Sequence, residues 1–309
     1  MKKKISMVIV VLIIVAGLGF LLYPTISDYL KTLSYHRAIA NFKTTVAQID
    51  EETYEDIMSA AQDYNKKVLA RGNVRTKLSA RELEEYESQL KIDDSGIMGY
   101  VVIPKINVSL PIYHGTSDAV LQSGIGHLEG SSLPIGGEGC HSVLSGHRGL
   151  PSAKLFTNID QLKEGDTFTV RILRETLTYE VDEIKTVLPY EVDKLPIVKG
   201  EDYCTLLTCT PYGINTHRLL VRGHRIETPE EDLPYIENEQ AVILDPYDPA
   251  ALFAVFAFIF TLAVVTIVLI IRIRTKRKRR KIMKQIKEEQ EKREENPPEQ
   301  ETPPENPSE

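Results

Sequence analysis

The chain has 309 residues and a formal net charge of −7, from 44 acidic and 37 basic side chains. That length is too great for one small domain and short for three, and the acidic balance excludes a nucleic-acid surface spread over the whole molecule. Its three cysteines, Cys140, Cys204 and Cys209, do not make a disulfide framework, so at least one thiol stays unpaired or pairs only transiently.

The N-terminus, 1–4, carries Lys2-Lys3-Lys4 and leads into residues 5–23, which are apolar apart from Ser6. Such a stretch crosses a hydrocarbon core of roughly 30 Å. A cleaved signal peptide is the alternative, but the run exceeds the usual signal core and Tyr23-Pro24-Thr25 lacks the small residues of a cleavage site. A retained transmembrane helix is the expectation.

Residues 24–95 read as helical. Val46, Ile49, Ile57, Met58, Ala61, Tyr64 and Val68 recur at three- and four-residue steps, Asp50-Glu51-Glu52 suits an early helical turn, and Gly72-Asn73 is a break. Ser79, with Glu82 three residues on, opens a second, short helix through a capping box.

From 96 to 227 the texture changes to short, β-branched, turn-bounded runs: 99–104, 107–114, 141–144, 167–173, 176–188, 203–208 and 218–225. A short helical turn is expected at 151–156. This pattern favours a closed or sandwich-like β domain. Residues 228–250, acidic and proline-bearing, read as a tether to a second span at 251–271, apolar from Leu252 except at Thr261 and Thr266. The tail, 272–309, begins with a basic cluster from Arg272 to Lys281 and turns Glu- and Pro-rich, with too little apolar content after Glu288 to fold. Lysines before the first span and the basic cluster after the second place both termini in the cytoplasm and the intervening chain outside. The cluster also suits anionic lipid.

Within the β region, alternation along Thr205-Leu206-Leu207-Thr208-Cys209 puts Thr205, Leu207 and Cys209 on one face, and Thr210-Pro211 ends the strand just beyond the thiol. Cys204 falls on the opposite face. Arg218, Leu220 and Arg222 share a face of the following strand, and the loop 210–216 is short enough to bring Arg218 beside Cys209. His147 lies between glycines in Leu144-Ser145-Gly146-His147-Arg148-Gly149. A strand-end thiol, an imidazole titrating near neutrality and a permanent guanidinium supply a nucleophile, a proton carrier and an oxyanion donor. Each also has a plainer reading: a core cysteine, a structural histidine, a surface arginine. A zinc site from Cys140, His141, His147 and Cys204 lacks paired ligand spacing, and Ser145-Gly146-His147 is not a serine nucleophile elbow.

These segments resemble the sortases, thiol transpeptidases of Gram-positive cell surfaces. Thr205-Leu206-Leu207-Thr208-Cys209 is similar to their TLxTC signature, 144–149 to their histidine segment, and 208–223 to class C, the pilin-polymerising branch. The likeness runs from Gly99 to Arg225. It implies a mainly β fold, an eight-stranded barrel, with the N-terminal helical region and two transmembrane helices as flanks. It assigns Cys209 as nucleophile, His147 as acid/base, Arg218 as oxyanion or positioning group, and Thr208 as shaping the pocket. It implies cleavage of an LPxTG-like sorting signal between Thr and Gly, transfer to a pilin lysine amine, and no cofactor or metal. Calcium, used by some class A members, has no evident acidic cluster here. Peptidoglycan anchoring is the alternative acceptor, and a thiol protease or an idle pilus scaffold are the readings from other classes. Class C members commonly carry an Asp-Pro-aromatic lid. No Asp-Pro pair occurs in 64–95, and the one such triplet, Asp245-Pro246-Tyr247, is beside the second apolar segment.

Overall fold

The structure is a computed structural model that describes residues 2–230 and 249–295. It divides into two compact units, Leu21–Ala251 and Met1–Phe20 with Leu252–Glu309. The first helix, α1 (Lys2–Ala47), contributes to both, and the final helix, α5 (Pro249–Glu295), to the second almost entirely. Among the described residues no helix is long and apolar enough to cross a membrane. Many side chains of the two apolar segments, including those of 1–12 and 251–256, are outside the described set. The α5 helix runs on past Glu288, where an unfolded tail was expected, supported by the i,i+4 pairs Lys284–Glu288 and Lys287–Glu291. Residues 296–309, most of the tether and its Asp245-Pro246-Tyr247 triplet are outside the described residues.

Within the unit Leu21–Ala251, the helical region forms as the sequence predicts, with one added break. The first helix stops at Ala47, and Asp50 starts α2 (Glu51–Arg71) by accepting from Thr53 N at 2.8 Å. That helix ends on Gly72, whose left-handed backbone only glycine adopts without cost. Ser79 and Glu82 then form the expected capping box of α3 (Ala80–Glu87). One face of α1 buries Tyr35, Ile39, Phe42 and Val46. Each such side chain contributes about 1.5–3 kcal/mol of transfer free energy, and Phe42 meets Tyr100 edge-on at 6.5 Å.

Eight strands close a barrel in the order β1-β2-β3-β4-β7-β8-β6-β5. They are β1 (Ile97–Ile103), β2 (Val108–His114), β3 (Ile125–His127), β4 (Cys140–Ser145), β5 (Thr167–Ile172), β6 (Glu175–Val187), β7 (Asp202–Thr210) and β8 (His217–Ile226). Seven match expected runs. The eighth, β3, has three residues and a glycine at its centre, too little for period-two alternation to register. A six-residue helix, α4 (Asp118–Ser123), precedes it. The helical turn expected at 151–156 is a series of turns, and the 3-10 turn comes later, at Ile159–Gln161.

The barrel interior is marked by Phe168 stacked on Tyr179 at 5.6 Å, with Gly223 so close that a Cβ there would meet the Phe168 ring and the Tyr179 Cβ. Register then sorts β7 and β8. Cys204↔Gly223, Leu206↔Val221 and Thr208↔Leu219 face inward, while Thr205↔Arg222, Leu207↔Leu220 and Cys209↔Arg218 face outward.

The helical region also holds the β6–β7 connection. Val74 N donates to Leu195 O, Ile197 N donates to Gly72 O, and Asn73 bridges Pro196.

Candidate active site

The site is built where β4, β7 and β8 end or begin together. Cys209 and Arg218 are direct partners in the antiparallel β7–β8 register, which sets their Cα atoms about 5 Å apart. Both are half-buried. Arg218 Nη1 donates to the carbonyls of His217, at 3.1 Å, and Asn215, at 3.3 Å. Those bonds brace the guanidinium against its own turn.

His147 arrives from the parallel neighbour. The β4–β7 register ends at Ser145↔Leu207, and Gly146 N continues it by donating to Leu207 O at 3.0 Å. His147 follows one residue beyond that bond, just past the end of β4. Thr208 is buried and faces the interior, and its hydroxyl donates to Gly146 O at 2.7 Å. It therefore acts on the histidine segment from beneath, without lining the outer face. Gly146 is tightly packed: a Cβ would lie 2.7 Å from Ile125 Cδ1 and from Phe156 Cδ2.

Beyond His147 the chain makes a loop whose neck is closed by Phe156 N donating to His147 O at 3.1 Å. Arg148, on the loop, pairs with Asp160 and stands over the Tyr212 ring at 5.8 Å. Tyr212, on the β7–β8 loop, also touches Gly149, where a Cβ would be 3.2 Å from the ring. These contacts tie the histidine loop to the loop that follows the cysteine. Sequence reasoning missed them, because Asp160 and Tyr212 carry no motif that points to Arg148.

The other two thiols are buried, and the imidazoles of His141 and His217 are engaged elsewhere. Burial pushes the Cys140 thiol up to about 12, with Asp202 adding to the effect, and raises Cys204 well above the ordinary thiol range. Cys140 donates to Gly136 O at 3.0 Å and accepts from Asn65 Nδ2. All three cysteines are free. His141 Nδ1 donates to Pro196 O at 2.7 Å, and its Nε2 accepts from Thr205 Oγ1 at 2.8 Å. Burial lowers its pKa to about 4. With both nitrogens engaged, His141 has no lone pair for the zinc set considered above, and among the described residues no metal-holding cluster of His, Cys, Asp or Glu occurs. His217 is opposite Thr210, so alternation turns it away from the face of Cys209, and its Nδ1 meets Thr216 Oγ1.

Comparison with known proteins gives this arrangement a relationship. The family model described as the sortase domain matches residues 101–226. Sortase C1 of Streptococcus agalactiae is 57% identical in its crystal structure, with 62% of this chain and 100% of that one covered and a TM-score of 0.60. Sortase C of Streptococcus pneumoniae, whose structure is described as bearing on catalysis and pilin substrate specificity, is 45% identical over 62% of this chain and 97% of its own, at a TM-score of 0.55. Sortase D of Bacillus subtilis strain 168 is 29% identical over 143 residues, 45% of this chain and 69% of that protein.

Proposed function

The chain belongs to the sortase family, and we propose from that premise that Cys209, His147 and Arg218 carry out a cysteine transpeptidation that builds pili. The observation that carries the assignment is the pairing of Cys209 with Arg218 across β7 and β8, level with the histidine loop on β4.

Cys209 gives its proton to His147, its Sγ attacks the threonine carbonyl of an LPxTG-like sorting signal, and the carbonyl oxygen becomes an oxyanion held by Arg218. The intermediate collapses, the Thr–Gly bond breaks, and the glycine amine leaves with a proton from His147. A thioacyl-enzyme remains. A pilin lysine amine then attacks it and loses a proton to His147, and the thiolate is released as an isopeptide bond forms, taking the proton back from His147. Thr208 shapes the site indirectly, by holding Gly146 and so the histidine segment. The apolar segments 5–23 and 251–271 anchor the enzyme as two membrane spans, with the barrel outside and both termini inside, a reading supported by the flanking charges. Substrate and acceptor then share one membrane plane with the enzyme.

The test is incubation of the purified full chain with an LPxTG-like peptide and a lysine-bearing pilin peptide, followed by mass spectrometry. An amide adduct is the expected product. Free acid alone makes the protein a thiol protease, a preference for a peptidoglycan cross-bridge amine makes it a wall-anchoring enzyme, and no thioacyl species makes it a scaffold. Cys209→Ala abolishes the thioacyl species, and Arg218→Ala lowers kcat by about 10²–10³.

A further inference from the structure

The loop that begins at His147 is held at its far side by a helix outside the barrel. On α1, Asp28 Oδ1 accepts from Lys154 N at 2.8 Å, Asp28 Oδ2 meets Lys154 Nζ at 3.4 Å, and Ser27 Oγ donates to Ser152 O at 3.1 Å. One turn on, Lys31 Nζ donates to Gln122 O at 3.2 Å, so this stretch of α1 bridges α4 and the histidine loop. The loop has little regular structure of its own: a single bridge, Leu150↔Ala153, its closed neck, and left-handed backbone at Gly149 and Leu155. A segment of this kind has several backbone conformations of similar energy unless outside contacts select one. Here the neck is set by Gly146 and Phe156, one flank by Arg148 with Asp160 and Tyr212, and the far side by Ser27 and Asp28.

From this geometry we infer that Asp28 is a positioning residue for the acid/base step: by fixing the Lys154 backbone it sets the loop that orients His147 toward Cys209. The inference rests on the roles proposed above for those two residues. Its essential contact is the carboxylate oxygen on a backbone N–H. The ammonium of Lys154 is well exposed, and exposed ion pairs contribute little. A proton carrier misplaced by an ångström costs rate without costing affinity. Asp28 touches no reacting atom, so its loss is felt as a shift in the His147–Cys209 pairing.

The experiment uses the full chain in detergent and two readouts. One is the kcat and KM for an LPxTG-like peptide with an amine acceptor. The other is the pH profile of Cys209 alkylation by iodoacetamide, which reports thiolate formation and needs no peptide substrate. Asp28→Ala is expected to lower kcat about tenfold with KM nearly unchanged, and to move the pH at which alkylation rises. Asp28→Asn, which keeps an acceptor oxygen, and Lys154→Met, which keeps the backbone donor, are expected to stay close to wild type in both. Wild-type kcat and alkylation profile in Asp28→Ala overturn the inference, as does a loss in Lys154→Met equal to that in Asp28→Ala. If Asp28→Ala does not fold, Asp28→Glu, with its carboxylate one methylene farther out, must show the same split, and wild-type behaviour there overturns it. If the wild-type chain turns over no peptide, the transpeptidase reading fails, while the alkylation profiles still decide the role of Asp28.

Discussion

Three thiols in one chain differ by environment alone. Cys140 and Cys204 are buried among barrel side chains, and desolvation holds both as neutral thiols at physiological pH. Cys209 is half-exposed at the end of β7. Brief iodoacetamide treatment of the folded chain is therefore expected to modify Cys209 alone, and Cys140 and Cys204 only after unfolding in urea. Tryptic mass spectrometry checks this, and rapid labelling of Cys204 in the folded protein contradicts it. Gly146 makes the complementary case. Alanine there places a methyl group against Ile125 and Phe156, an overpacking that costs about 1–3 kcal/mol. The relief available is a shift of the segment leading to His147, so Gly146→Ala should lose peptide turnover out of proportion to its loss of urea midpoint. Full turnover in a destabilised variant would show that the segment tolerates the shift. The glycine is visible in the sequence, but its reason is not, because Phe156 comes ten residues later and Ile125 on another strand.

At the scale of elements, α3 separates what local pattern reveals from what contact decides. Its start was legible, since Ser79 and Glu82 satisfy each other's backbone groups within one turn. Its docking was not. Tyr86 is fully buried, and its hydroxyl donates to His127 Nδ1 at 2.9 Å while accepting from Gly115 N at 3.0 Å. His127 Nε2 in turn donates to Ser132 O at 2.8 Å, which sets the tautomer. Ser79→Ala is expected to cost about 1 kcal/mol. Tyr86→Phe removes no packing but strands the buried His127 Nδ1, which costs about 1–3 kcal/mol. Urea titrations rank the two, and a Tyr86→Phe loss smaller than that of Ser79→Ala counts against the buried network. The same division explains the β strands. Long alternating runs announced themselves, whereas β3 forms because Ile125, Gly126 and His127 pair with Ile112, Tyr113 and His114 on one side, and Gly126 and His127 with Ser145 and Leu144 on the other.

Across the whole molecule, buried histidines make stability a function of pH. Burial lowers His127 to about 3 and His141 to about 4. Both lie below the value near 6.5 of an unfolded chain, so below that pH the unfolded state takes up protons that the folded state refuses. Their contribution is complete above about pH 6.5 and is lost as pH falls toward 4 and then 3, at up to about 1.4 kcal/mol per pH unit for each. Asp202 opposes this, since burial raises its carboxyl and protonation on acidification relieves a cost of folding. Urea midpoints measured from about pH 7.5 down to 5 should therefore fall, with net proton uptake on unfolding rising below about pH 6.5. Midpoints that are flat over that range would show that these imidazoles are not neutral in the fold.

The sequence by itself determined the identity of the chemistry. A thiol at the end of an alternating run, a short loop, and an arginine at the start of the next run suffice to place Cys209 opposite Arg218, because hairpin register follows from loop length and alternation. It determined the cap of α3 for a like reason: Ser79 and Glu82 are within one turn of each other. Only the tertiary structure decided what stands behind His147. Thr208 under Gly146, Tyr212 against Arg148 and Gly149, and Asp28 at Lys154 come from three separate elements, and nothing local records which of them will meet. Barrel closure brings β4 beside β7, and burial of Tyr35, Ile39, Phe42 and Val46 docks the helix that carries Asp28, so contacts far apart in the chain meet only once those faces are packed.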